Sequence, residues 1–180
     1  MALLRRALDG LYLLGGVLGA VALAAIGVII ALQVGGRVLG RVLLGADDLT
    51  AFTVAASATL PLAYTFRHGA HIRVDLVIGR LAGRARFAME ALALLLAAGV
   101  ALAFAYSMAD LASDSFEFGE VAQGSIAWPL WVPQALGAFG VGRVAIALVD
   151  DLGGHLAGGT PSYRRAAAEA SPVERATEEI

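Results

Sequence analysis

The chain has 180 residues, is 59% hydrophobic and only 16% charged, and has a mean hydropathy of +0.77. Soluble domains carry about 25% charged residues, so this composition excludes an ordinary water-soluble domain and points to a small set of membrane helices. The chain has no cysteine, which rules out disulfide and thiolate chemistry, and a formal charge of −2 gives no sign of nucleic-acid binding.

Four apolar runs mark the predicted elements. The first lies between Asp9 and Arg37, the second from Leu49 to Phe66 and the third from Ala91 to Ala109. The fourth begins in Val121–Gly142 and continues past Arg143 to Val149. A hydrocarbon core about 30 Å thick needs roughly 20 apolar residues in a helix, and each run meets that within the usual range. The expected architecture is all-α, with spans near 11–34, 48–66, 88–110 and 130–150. A cleaved signal peptide is the rival for the first run, because Arg5 and Arg6 precede it and Ala22-Leu23-Ala24 resembles a cleavage site. The apolar stretch continues to Val34, too long for a signal h-region of about 7–15 residues, so a retained span is expected.

All 13 basic residues are arginine, and their placement sets the expected orientation. Arg5 and Arg6 precede the first span. Arg67, Arg73, Arg80, Arg84 and Arg86 lie between the second and third, and Arg164, Arg165 and Arg175 follow the fourth. The third-to-fourth connection has only Asp110, Asp114, Glu117 and Glu120. The N-terminus, the middle connection and the C-terminus are therefore expected in the cytoplasm. Arg37 and Arg41 oppose this mildly, offset by Asp47 and Asp48. Residues 153–180, rich in Gly, Ala and Glu, are expected to form a flexible cytoplasmic tail, with a short helix around Tyr163–Glu174 as the alternative.

Membrane helices associate through close packing, so small residues mark contact faces. Ala93, Ala97, Ala101, Ala105 and Ala109 recur every four residues in the third span, and Gly15 and Gly19 do so in the first. Pro61 removes a backbone donor and favours a kink in the second. Trp128 and Trp131, with Pro129 and Pro133, lead into the fourth span as an interfacial aromatic belt. The middles of all four predicted spans lack ionisable groups. Glu90 lies near the start of the third span and Arg143 in the last third of the fourth. With Asp48, Trp128 and Trp131 they are candidate partner contacts. No Walker, dinucleotide, nucleophile-elbow or zincin motif is present, and no catalytic, cofactor-binding or metal-binding residue is expected.

The stretch Arg67-His-Gly-Ala-His-Ile-Arg-Val-Asp75 concentrates charge just after the second span. His68, His71 and Asp75 at spacings i, i+3, i+7 raise a metal site. Gly69 weakens the helix that would hold both histidines on one face, and no fourth ligand is near. From His71 to Arg86 the arginines 73, 80 and 84 share one helical face while Val74, Ile78, Leu81 and Ala85 share another. That pattern predicts an interfacial amphipathic helix at 71–86.

In that position the string Arg67-x-Gly69-x-His71-Ile72-Arg73-Val74-Asp75 resembles the signature of the small membrane subunit, DctQ-type, of tripartite ATP-independent periplasmic (TRAP) transporters. The likeness extends over the layout from Leu11 to Leu152 and includes Trp128-Pro129, Trp131, Gly137 and Gly140. It departs from the family at Asp47, Asp48 and Phe52, where Trp and Glu are common. The resemblance implies a subunit of the bacterial inner membrane that scaffolds a large membrane subunit. It implies a periplasmic binding protein that delivers an organic acid, with uptake driven by an ion gradient, usually sodium. Under it, Arg67, Gly69, His71, Arg73 and Asp75 are architectural, and the outer connections Gly35–Ala46 and Leu111–Ala127 face the periplasmic protein. The alternative is an independent small transporter or channel working as a homo-oligomer.

Overall fold

The computed structural model describes residues 2–68 and 83–165, with side-chain environments from Leu8 onward. It is all-α, and four stretches are long and apolar enough to cross a membrane. Helix α1 spans Ala2–Val38 and helix α2 spans Ala46–Thr59, followed by the short α3, Leu62–Arg67. Helix α4 spans Gly83–Glu117 and α5 spans Trp131–Leu156. The second membrane crossing is α2 and α3 together, interrupted at Leu60-Pro61, where proline has no N–H to continue the ladder.

The helices form a row. Helix α4 packs on α5, α5 on α2 and α3, and these on α1. The core gathers Tyr12, Ala63, Phe66, Leu94, Ala98, Ala147, Leu148 and Tyr163 toward the end of the row that carries Arg67. Around it, leucines, valines and phenylalanines of α1 and α4 point outward, among them Leu23, Leu96 and Val100, each at least 60% exposed. Such a surface suits hydrocarbon, where every backbone group must be bonded within the helix.

Glycines set the closest approaches. A methyl group at Gly19 would stand 2.7 Å from the Pro61 ring, and one at Gly140 would stand 2.6 Å from the Thr59 carbonyl oxygen. Both α1 and α5 therefore approach the α2–α3 break at backbone distance. The alanine ridge of α4 is only partly used within this chain. Ala101 and Ala105 are partly buried, but Ala97 is exposed, and Leu94 and Ala98 are the buried residues. A spacing of four drifts about 40° per step around a helix of 3.6 residues per turn, so Ala93 and Ala97 leave the face that Ala101 and Ala105 occupy.

The helices also overrun the expected spans. Of the interfacial segment expected at 71–86, only residues 83–86 are among the described ones, and they form the first turn of α4. Gly69, His71, Arg73 and Asp75 lie outside the described residues. The outer connections are shorter than expected, since residues 35–38 end α1 and 111–117 end α4. The two connections meet: Gly45, with φ 70°, lies against Ile126 and the Trp128 indole, and the Asp48 carboxylate lies against Gly124. The tail expected from 153 starts too early. Helix α5 runs to Leu156, a turn at Gly158 reverses the chain, and Pro161, Ser162 and Tyr163 are buried against the bundle.

Candidate functional site: polar anchors within the membrane helices

Three polar clusters tie the spans together, and all draw on α5 or its continuation. The first sits at the end of the second crossing. Arg67 bridges two helices, with Nη2 3.3 Å from Asp9 of α1 and Nη1 donating to Asp150 of α5 at 3.2 Å. Its guanidinium also lies 5.2 Å from the Tyr12 ring centre. His68 beside it stacks on Tyr64 at 4.0 Å, and its Nδ1–H donates to the Tyr64 carbonyl at 2.8 Å. It caps the short α3. No metal-binding group of acidic, imidazole or thiol side chains occurs among the described residues.

The second cluster lies deeper. Arg143 is the thirteenth of the 26 residues of α5 and only 2% exposed. It stands seven residues, or about 10 Å along the helix axis, before Asp150. Its Nη2 donates to the Leu60 carbonyl at 2.6 Å and its Nη1 to the Leu11 carbonyl at 3.1 Å, while the Phe139 ring centre is 4.7 Å away. Gly15 leaves room for the guanidinium on α1. Arg143 pairs inside the bundle, with its guanidinium buried among three helices. The guanidinium's fork joins carbonyls on two different helices, one of them at the proline break, a geometry that a lysine's single ammonium does not match.

The third cluster surrounds Glu90, which is 4% exposed at the eighth position of α4. Its Oε1 accepts from Arg86 Nε at 3.2 Å and its Oε2 from Arg164 Nη1 at 3.3 Å. His155 Nε2 stands 3.9 Å from the same carboxylate and donates to the Phe87 carbonyl at 3.1 Å. Next to it the buried Asp151 accepts from the Ser162 hydroxyl at 2.7 Å and from the Ser162 backbone N–H. These bonds hold the segment after α5 beneath α4 and α5.

Glu90 and Arg143, two of the candidate partner contacts, are buried and make these bonds within the chain. Asp48 and Trp128 are half-buried between the two outer connections. Trp131 is 38% exposed and meets Phe116 edge-on at 5.7 Å. Asp9, Arg86, Asp150, Asp151, His155, Ser162 and Arg164 belong to the anchors and were not among the candidates from sequence. The signal that could have found several of them is the acidic pair Asp150-Asp151 in an otherwise apolar span.

The family described as tripartite ATP-independent periplasmic transporters, DctQ component, matches residues 26–158. The chain belongs to that family. No curated protein matches the chain. The DctQ match includes Arg67, Glu90, Arg143 and both acidic residues of α5. Asp9, Leu11, Gly15, Ser162 and Arg164, which complete the anchors, lie outside it.

Proposed function

We propose that this protein is the non-catalytic small membrane subunit of a TRAP transporter. It scaffolds a large membrane subunit that takes up an organic acid, delivered by a periplasmic binding protein and driven by an ion gradient. The observation that carries the reading is the DctQ match over residues 26–158. The polar chemistry of the described spans supports it. Arg143, the charge at mid-helix, is taken up by this chain's own carbonyls, so its bonds serve helix packing. In a transporter's translocation path such a group faces a cavity or the substrate. The arginine distribution supports a reading in which both termini and the α3–α4 connection lie on the cytoplasmic side of a bacterial inner membrane, with the packed outer connections toward the binding protein.

Reconstitution tests the proposal. The chain alone in liposomes is expected to move no organic acid under a sodium gradient, and uptake should appear only with a large membrane subunit and a binding protein present. Sodium-driven uptake by the purified single chain would overturn it, and crosslinking that yields only self-adducts in native membranes would favour the homo-oligomeric alternative.

A further inference from the structure

At the Arg67 end, the start of α4 and the chain after α5 enclose an open cleft of about 250 Å³, lined by Arg86, Phe87, Glu90, His155, the Gly158–Gly159 turn and Arg164. Two guanidiniums face one carboxylate, which leaves a net positive charge. Arg86 gives Glu90 only its Nε and Arg164 only Nη1, so both terminal nitrogens of Arg86 and Nη2 of Arg164 have no partner among the described residues. Both side chains remain about one-third exposed, at 34% and 37%. Their sequence neighbours Arg84 and Arg165 are exposed as well.

The cleft's level in the fold says what it meets. Immediately beyond Arg86, α4 turns apolar, with Phe87, Met89 and Leu92 each more than 40% exposed. A guanidinium pair at the foot of a lipid-facing helix lies where phosphate groups end and acyl chains begin. Ala93 and Ala97, seven and eleven residues beyond Arg86, share its side of α4 and are exposed. They leave a strip without bulky side chains that rises from the cleft.

We propose that this cleft binds the phosphodiester headgroup of an anionic phospholipid. The phosphate lies on the free nitrogens of Arg86 and Arg164, and one acyl chain runs along Ala93 and Ala97. Glu90 holds the two guanidiniums side by side and, by its charge, keeps the affinity moderate.

The test is lipid selectivity of the full-length chain in nanodiscs of phosphatidylcholine doped with phosphatidylglycerol, read by native mass spectrometry of retained lipid. A phosphatidylglycerol preference of about five- to tenfold is expected from one net positive charge and two guanidiniums at the surface. Arg86→Gln with Arg164→Gln should reduce it to within about twofold of parity. Glu90→Gln should raise it above wild type, a gain that unfolding cannot produce. Equal retention of both lipids by the wild-type chain would overturn the proposal. So would an unchanged preference in the double variant or a loss in Glu90→Gln. Displacement of the lipid by excess inorganic phosphate would assign the cleft to a soluble anion instead. Because the chain is measured alone, failure here leaves the small-subunit reading intact, and failure to join a large subunit leaves the lipid site intact.

Discussion

Replacing Arg143 sets two opposing effects against each other, and the structure allows both to be sized. Its two hydrogen bonds to carbonyls come from a charged donor, each contributing about 1.5–3 kcal/mol, or roughly 3–6 kcal/mol together. Holding an arginine at a helix centre in a membrane costs about 2.5–3.5 kcal/mol on insertion scales. Arg143→Met removes both effects while keeping most of the stem volume, so a net loss of about 1–2 kcal/mol is expected. Arg143→Ala adds a cavity between α1, α3 and α5, for a loss of about 3–5 kcal/mol in all. Arg143→Lys keeps the buried charge but reaches only one of two carbonyls, for a loss of about 1.5–3 kcal/mol. Unfolding by sodium dodecyl sulfate titration in mixed micelles, followed by helicity, ranks the three variants. If Arg143→Met equals or exceeds the wild-type chain in stability, the guanidinium is not a net tie between helices and the reasoning fails.

Three further outcomes follow from packing and exposure. Gly140→Ala would push a methyl group onto the Thr59 carbonyl and carbon, backbone atoms that yield only if α5 and α2 part, so a loss of about 1–3 kcal/mol is expected in the same titration. Gly142→Ala, with nothing within 4 Å of the added methyl, should be neutral or stabilising by up to about 1 kcal/mol. Arg67 meets carboxylates whose side chains are 59% and 40% exposed, so Arg67→Gln should cost only about 1 kcal/mol. That cost should shrink as salt is raised, whereas the Arg143 effect should not.

What was legible in the sequence was whatever lipid dictates. The four apolar runs and the crowding of charge after Phe66 follow from the cost of placing polar groups in hydrocarbon, and the break at Pro61 from proline's missing N–H. Helix ends did not follow from it. Arg84, Arg86, Asp110 and Asp114 end the apolar run but not the helix, because charged side chains are good or tolerable helix formers once the backbone has left the bilayer. The depth of Arg143 was hidden for a related reason. Its partners are the backbone carbonyls of Leu11 and Leu60, and no side-chain pattern marks a carbonyl. The tie that Arg143 makes between helices therefore left no mark in the sequence. The alanine repeat divides between a partly buried and an exposed half, since a period of four is not the period of the helix.

The segment after α5 offers the sharpest check on how the anchors cooperate. Asp151 is 4% exposed and sits on a membrane helix, a costly place for a carboxylate without donors. Its donors come from Ser162, eleven residues on, because the turn at Gly158 returns the chain to α5. Arg164 bonds Glu90 from the same segment, so a single strand of chain completes two buried acids. Asp151→Ala should free this segment without unfolding the spans, since α5 itself keeps its packing on α4 and α2. Losing the charged bonds to Ser162 costs the docked state about 2–3 kcal/mol, which raises the undocked population about 30- to 150-fold. Trypsin cleavage after Arg164 and Arg165 follows that population when docking is fast, and should accelerate by the same factor. Asp151→Asn, which retains an acceptor for Ser162, should fall between. Were the Asp151→Ala chain cut no faster than wild type, Ser162 would not be what holds the segment, and the bonds of Tyr163 and Arg164 to the bundle would have to carry it alone.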